Sequence, residues 1–76
     1  MTLDKHLLDG IGKVTKSKTL ATRDFEEKLT ANGYYQIGKG KAQAGRIKVW
    51  FAHQEYRRVE AIYSEHGDIA VTAYHT

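Results

Sequence analysis

A chain of 76 residues is about half the length of an average domain, so it is read as a single domain spanning 1–76 with a thin core. It contains no cysteine, which excludes a disulfide framework, a thiolate metal site and a cysteine nucleophile. The net charge of +3 is unevenly spread: residues 1–32 balance at +1, residues 33–58 carry +5, and residues 59–76 carry −3.

Taken in chain order, Leu3, Leu7, Leu8, Ile11 and Val14 recur at the three-to-four spacing of one helix face, with Thr2 or Asp4 as cap, although Gly10 and Gly12 weaken the last turns. A polar joint at Lys16-Ser17-Lys18-Thr19 follows. Thr22 then caps a second predicted helix, whose Phe25 and Leu29 face the core and whose Asp24, Glu26 and Glu27 suit the positive end of its dipole. Asn32-Gly33 is a helix stop. From Gly33 the hydrophobic period changes from near four to two, the signature of strands.

The first predicted strand is Tyr34 to Lys39, followed by a flexible connection over Gly38 to Gly45. The second is Arg46 to His53, and Glu55-Tyr56-Arg57 is a short turn. The third is Arg58 to Ser64, Glu65-His66-Gly67-Asp68 is a tight turn, and Ile69 to His75 closes the chain. The expected fold is α+β: two N-terminal helices, over 1–32, packed on one face of a four-stranded antiparallel meander sheet formed by 33–76.

If helices cover the face bearing Ile47, Val49, Phe51, Val59, Ala61, Ile69, Val71 and Ala73, alternation sends Arg46, Lys48, Trp50, Arg58, Glu60, Thr72 and Tyr74 to the other face. Cations interleaved with aromatics are the composition of a phosphate-binding surface, to which Lys39, Lys41 and Arg57 also belong in sequence. The same set holds what metal-free RNA cleavage requires: a carboxylate or imidazole base, fixed cations for the phosphate charge, and a proton donor for the departing oxygen. Glu60 is one candidate base, Lys48 and Arg58 are phosphate clamps, and Tyr74 or a histidine is the acid. Trp50 or Tyr34 is available to stack on a nucleobase.

The four histidines are not grouped as metal ligands, so neither a metal site nor a cofactor is expected. His53 and His75 fall at strand ends and are candidates for catalysis or phosphate contact; His6 is expected in a helix and His66 in a turn. No apolar run reaches the roughly 18 residues of a membrane span, so no membrane partner is expected.

The order of helices and meander, the basic stretch Gly38-Lys39-Gly40-Lys41 and the closing Asp68-Ile69-Ala70-Val71-Thr72-Ala73-Tyr74-His75 resemble the small ribonuclease toxins grouped with barnase, colicin-type tRNases and RelE. Such modules stand at the C-termini of contact-dependent growth inhibition and other polymorphic toxins. The resemblance implies a metal-independent endoribonuclease acting on RNA, with tRNA as the expected target, and an acidic immunity or antitoxin protein as partner. It further implies a module that is monomeric when free. It would be delivered by a larger toxin to act in the target-cell cytoplasm, or be cytoplasmic in a toxin–antitoxin pair. Thr72 and Tyr74 match the family's Thr-x-Tyr ending, and Lys39, Lys41, Lys48, His53 and Arg58 fall where it keeps phosphate-handling groups. The Glu-Arg-His set of barnase has no match, so His53 or Glu60 remains open as base and Tyr74 or His75 as acid. The rival expectations are a non-catalytic nucleic-acid-binding module and a protein-interaction domain.

Overall fold

The period-two half of the chain forms four strands, with faces and bounds altered by two bulges, and the helical half forms one helix of the two expected. The computed structural model describes Leu3, residues 7–14 and residues 18–76. In chain order the elements are β1 (Leu7–Leu8), β2 (Gly12–Lys13), β3 (Leu20–Ala21), α1 (Thr22–Ala31), β4 (Tyr35–Lys41), β5 (Ile47–Ala52), β6 (Val59–Tyr63) and β7 (Ile69–His75). The strands β3 to β7 form one antiparallel sheet in the order β3-β7-β6-β5-β4, while β1 and β2 pair only with each other. The expectation of two helices on four strands is therefore corrected: the described residues hold one α-helix and a five-stranded sheet.

Where the first helix was expected, the chain turns back on itself. Gly10 and Gly12 take φ of 82° and 76°, values that a right-handed helix does not admit. Leu7 is 66% exposed beside buried Leu8, the alternation of a strand. Leu3, Leu8 and Val14 still enter the core, but Leu7 does not and Ile11 does so only in part, so the five residues do not form the single face expected of them. The proposed caps Thr2 and Asp4, helical His6 and the start of the joint at Lys16-Ser17 lie outside the described residues. The fifth strand, β3, was missed because two residues are too few to show a period.

The second expected helix is α1, with Phe25 and Leu29 fully buried. Thr22 is its first helical residue rather than its cap; its N–H donates to the Asp68 carbonyl, 2.9 Å away. The helix ends in a Schellman turn, in which Gly33 N–H donates to Thr30 O and Tyr34 N–H to Leu29 O, with Gly33 at φ 90°. Phe25 packs edge-on against Phe51 and Tyr63, at ring-centroid distances of 6.0 and 6.1 Å, and so fixes α1 across β5 and β6. Tyr63 also donates its hydroxyl to Glu26 of α1 at 2.7 Å.

Two bulges set the faces of the sheet. The β4–β5 register slips between Gln36 and Gly38, and the β6–β7 register slips where Ile62 pairs Thr72 but Tyr63 pairs Ala70. The second slip leaves Val71 as the extra residue. Ala70 and Ala73 therefore both enter the core, and the expectation that Ile69, Val71 and Ala73 share its face holds for Ala73 alone. The expected flexible loop at Gly38–Gly45 is also corrected. Gly38 to Lys41 belong to β4, and the turn is a single 3-10 segment at Gln43–Gly45 closed by Ala42 N–H to Arg46 O at 2.9 Å.

Candidate nucleic-acid interface

The face of the sheet turned away from α1 is built by cross-strand pairing. Trp50 on β5 lies opposite Glu60 on β6, which lies opposite Tyr74 on β7, so three strands bring one residue each into a single row. The next row is Lys48, Ile62 and Thr72. Arg46 precedes β5 and lines the same cleft as Lys48, whereas Arg58 precedes β6, is exposed and lies outside the paired rows. Rows two residues apart stand about 6.8 Å from one another, so Lys48 and Arg46 lie to one side of the carboxylate row.

Glu60 is the centre of this arrangement. One carboxylate oxygen accepts the Trp50 indole N–H at 2.9 Å, the other accepts the Tyr74 hydroxyl, and Lys48 Nζ stands 3.9 Å from that second oxygen. Its side chain is 14% exposed. Burial alone would raise its pKa, but the hydrogen bonds from Tyr74 and Trp50, helped by the Lys48 ammonium, outweigh burial and hold the carboxyl below the usual carboxylate range. The same hydrogen bond, reinforced by burial, pushes the Tyr74 phenol above its ordinary value. At neutral pH the pair is thus a carboxylate beside a protonated phenol.

A shallow cleft opens beside this network, lined by Ala42, Gln43, Arg46, Lys48, Ile62 and Tyr74. Ala42 and Gln43 were not singled out from sequence, because only the turn at Gln43–Gly45 brings them beside Lys48 and Tyr74. Thr72, one of the candidates, shares this face but is 9% exposed, and its hydroxyl has no hydrogen-bond partner among the described residues.

Other sequence candidates are placed elsewhere. In β4, Lys39 pairs with Val49 and Lys41 with Ile47, so both lysines project on the α1 side of the sheet and not beside Lys48. The open side of β4 carries Gly38 opposite Trp50 and Gly40 opposite Lys48. Arg57 binds Asp9, with Nε 3.3 Å from Oδ2, at the seam where the β1–β2 turn meets the sheet. Its hydrogen bond, against a smaller opposing effect of burial, lowers the Asp9 pKa. Tyr34 is buried at the same seam, donates its hydroxyl to Asp9 O at 2.9 Å, and has no face free for stacking.

Both candidate histidines are structural. His75 is 6% exposed; its Nδ1 faces the carbonyl oxygens of Arg57 and Arg58 at 3.2 and 3.3 Å, and its Nε2 accepts the Asp9 N–H at 2.9 Å. The proton therefore sits on Nδ1 and the Nε2 lone pair is occupied. In His53 the roles are exchanged: Nδ1 accepts the N–H groups of Glu55 and Tyr56 at 2.9 and 3.3 Å, and Nε2 donates to Asn32 O at 2.8 Å. Its ring also packs on Tyr34 and Tyr56. Neither imidazole has a nitrogen left for substrate, and neither belongs to the Glu60 row.

Among the described residues no group of three or more His, Asp and Glu side chains is arranged to hold a metal. No helix among them is long and apolar enough to cross a membrane. Compared with protein families, with curated proteins and with solved structures, the chain matches none of them.

Proposed function

We propose that the open face of the sheet is the site of a metal-independent endoribonuclease. Glu60 takes the proton of a ribose 2′-hydroxyl, and the 2′-oxygen attacks the adjacent phosphorus. Lys48, with Arg46 beside it in the cleft, opposes the charge that develops on the non-bridging oxygens. The bond to the 5′-oxygen breaks, and that oxygen takes its proton from the Tyr74 hydroxyl. The products are a 2′,3′-cyclic phosphate and a 5′-hydroxyl. The proton now on Glu60 returns to Tyr74 along their hydrogen bond, which restores both groups without an outside donor.

One observation carries this reading: a carboxylate, a phenol hydrogen-bonded to it and an ammonium meet on the basic face of the molecule, next to a cleft. The histidines leave the proton transfers to this pair. Within the same reading the target is tRNA or another RNA, and an acidic immunity or antitoxin protein is the partner that covers the cationic rows. The module is monomeric when free and is delivered by a larger toxin, or acts in the cytoplasm as half of a toxin–antitoxin pair. The saturation of Glu60 by two donors and a cation favours a second reading, a nucleic-acid-binding module without chemistry.

Incubation with tRNA and total RNA in EDTA separates the two. Cleavage ending in cyclic phosphate, lost in Glu60→Gln and Tyr74→Phe, is the result expected. Salt-sensitive retention without cleavage establishes the binding module instead, and cleavage undiminished in both variants removes the proposed site.

A further inference from the structure

We infer that Trp50 is a restrained stacking floor for one unpaired nucleobase, so that the ligand of this face is a single strand and not a duplex. The inference rests on reading the face as a nucleic-acid site, and it concerns recognition rather than cleavage.

The indole is held on two sides. Towards β4, a Cβ placed on Gly38 or Gly40 would meet its six-membered ring at 3.6 or 3.4 Å, ordinary van der Waals contact, so the ring packs against this stretch of β4. Towards β6, its N–H is bonded to Glu60 at 2.9 Å. An aromatic already fixed in this way loses little further freedom when a base stacks on it. Covering strand glycines with an aromatic ring is a stabilising device in its own right, but it does not require the bond to the carboxylate.

The neighbours of the ring match the rest of a nucleotide. Lys48 Nζ lies over the ring, 6.0 Å from its centroid, at the outer limit of a cation–π contact, and a base that stacks there would displace the flexible ammonium towards its own phosphate. Glu60, tied to the indole N–H, then lies beside the ribose of that nucleotide. Tyr35, 54% exposed and paired with Ala52 next to Gly38, offers a second ring on the same face. In a duplex the base faces are covered by neighbouring pairs, so stacking of this kind selects unpaired segments.

Trp50 is the only tryptophan in the chain, so its fluorescence reports this ring alone. The probes are an oligothymidylate hexamer, which has no 2′-hydroxyl to react, the same sequence in duplex form, and tripolyphosphate, which has charge without bases. Binding is measured in parallel by anisotropy of labelled strands. The expected result is quenching by the single strand alone, with affinity for it falling about 10-fold or more in Trp50→Ala. Lys48→Ala should weaken all three probes alike. Quenching by the duplex equal to that by the single strand, a bound single strand that leaves the fluorescence unchanged, or no binding at all overturns the inference. The wild-type measurement decides even where Trp50→Ala fails to fold. RNA cleavage without quenching defeats the stacking floor alone, and quenching without cleavage defeats the ribonuclease reading alone.

Discussion

Asp9 and Glu60 are both carboxylates held below their ordinary pKa by neighbours, yet they stand in opposite kinds of surroundings. Asp9 belongs to the seam. Its carboxylate meets Arg57, its backbone N–H meets His75, its carbonyl meets Tyr34, and each of these contacts joins the N-terminal hairpin to the sheet. Glu60 belongs to the open face. Its partners come from the two strands that flank its own and that backbone pairing already holds to it, so its network adds no topological link. The comparison teaches that a titratable cluster whose removal would disconnect the fold is structural first, whereas a cluster laid over a ladder that stands without it is free to serve a ligand.

The crossed variants that test this distinction begin with the largest effects. Phe25→Ala removes the ring that joins α1 to β5 and β6, and should cost about 3–5 kcal/mol, enough to unfold most of a small domain by thermal denaturation. Glu60→Gln and Lys48→Ala should each lower the rate of cyclic-phosphate formation by about 100-fold or more while circular dichroism stays unchanged. A loss of fold in both would place Glu60 with Asp9 as a structural carboxylate.

At the seam the reverse is expected. His75→Ala leaves the Asp9 N–H and the Arg57 and Arg58 carbonyls without their side-chain partner, and should destabilise by about 1–3 kcal/mol with the rate of the folded fraction intact. A 100-fold rate loss at undiminished stability would return His75 to the catalytic set. Tyr63→Phe, which removes the bond to Glu26 but keeps the ring, should cost only about 1 kcal/mol in urea unfolding.

The smallest effect is on the acid side. Because the folded pKa of Glu60 lies below its unfolded value, its contribution to stability is complete above the unfolded pKa and is lost as pH falls through the folded one. Asp9 follows the same sign. Urea midpoints measured from neutral pH down to about pH 3 should therefore fall, and fall less in Glu60→Gln, if the Glu60 hydrogen bonds are as firm as their geometry indicates.

Period two along β5 and β6 determined which side chains share a face, and with it the convergence of Lys48, Trp50 and Glu60, because strand alternation is a local property of the backbone. The end of α1 at Asn32-Gly33 was equally local. The bulge at Val71 was not, since the extra residue is defined only against its partner strand, and it exchanged Ala70 for Ile69 in the core. Nor was the fate of the histidines: the contacts that occupy His75 and His53 join residues 66 and 21 positions apart in the chain. Sequence determined which chemical groups were present and which strands bore them. Only the tertiary structure decided which of those groups were already spent on holding the molecule together, because a lone pair is free or occupied according to what the fold brings against it.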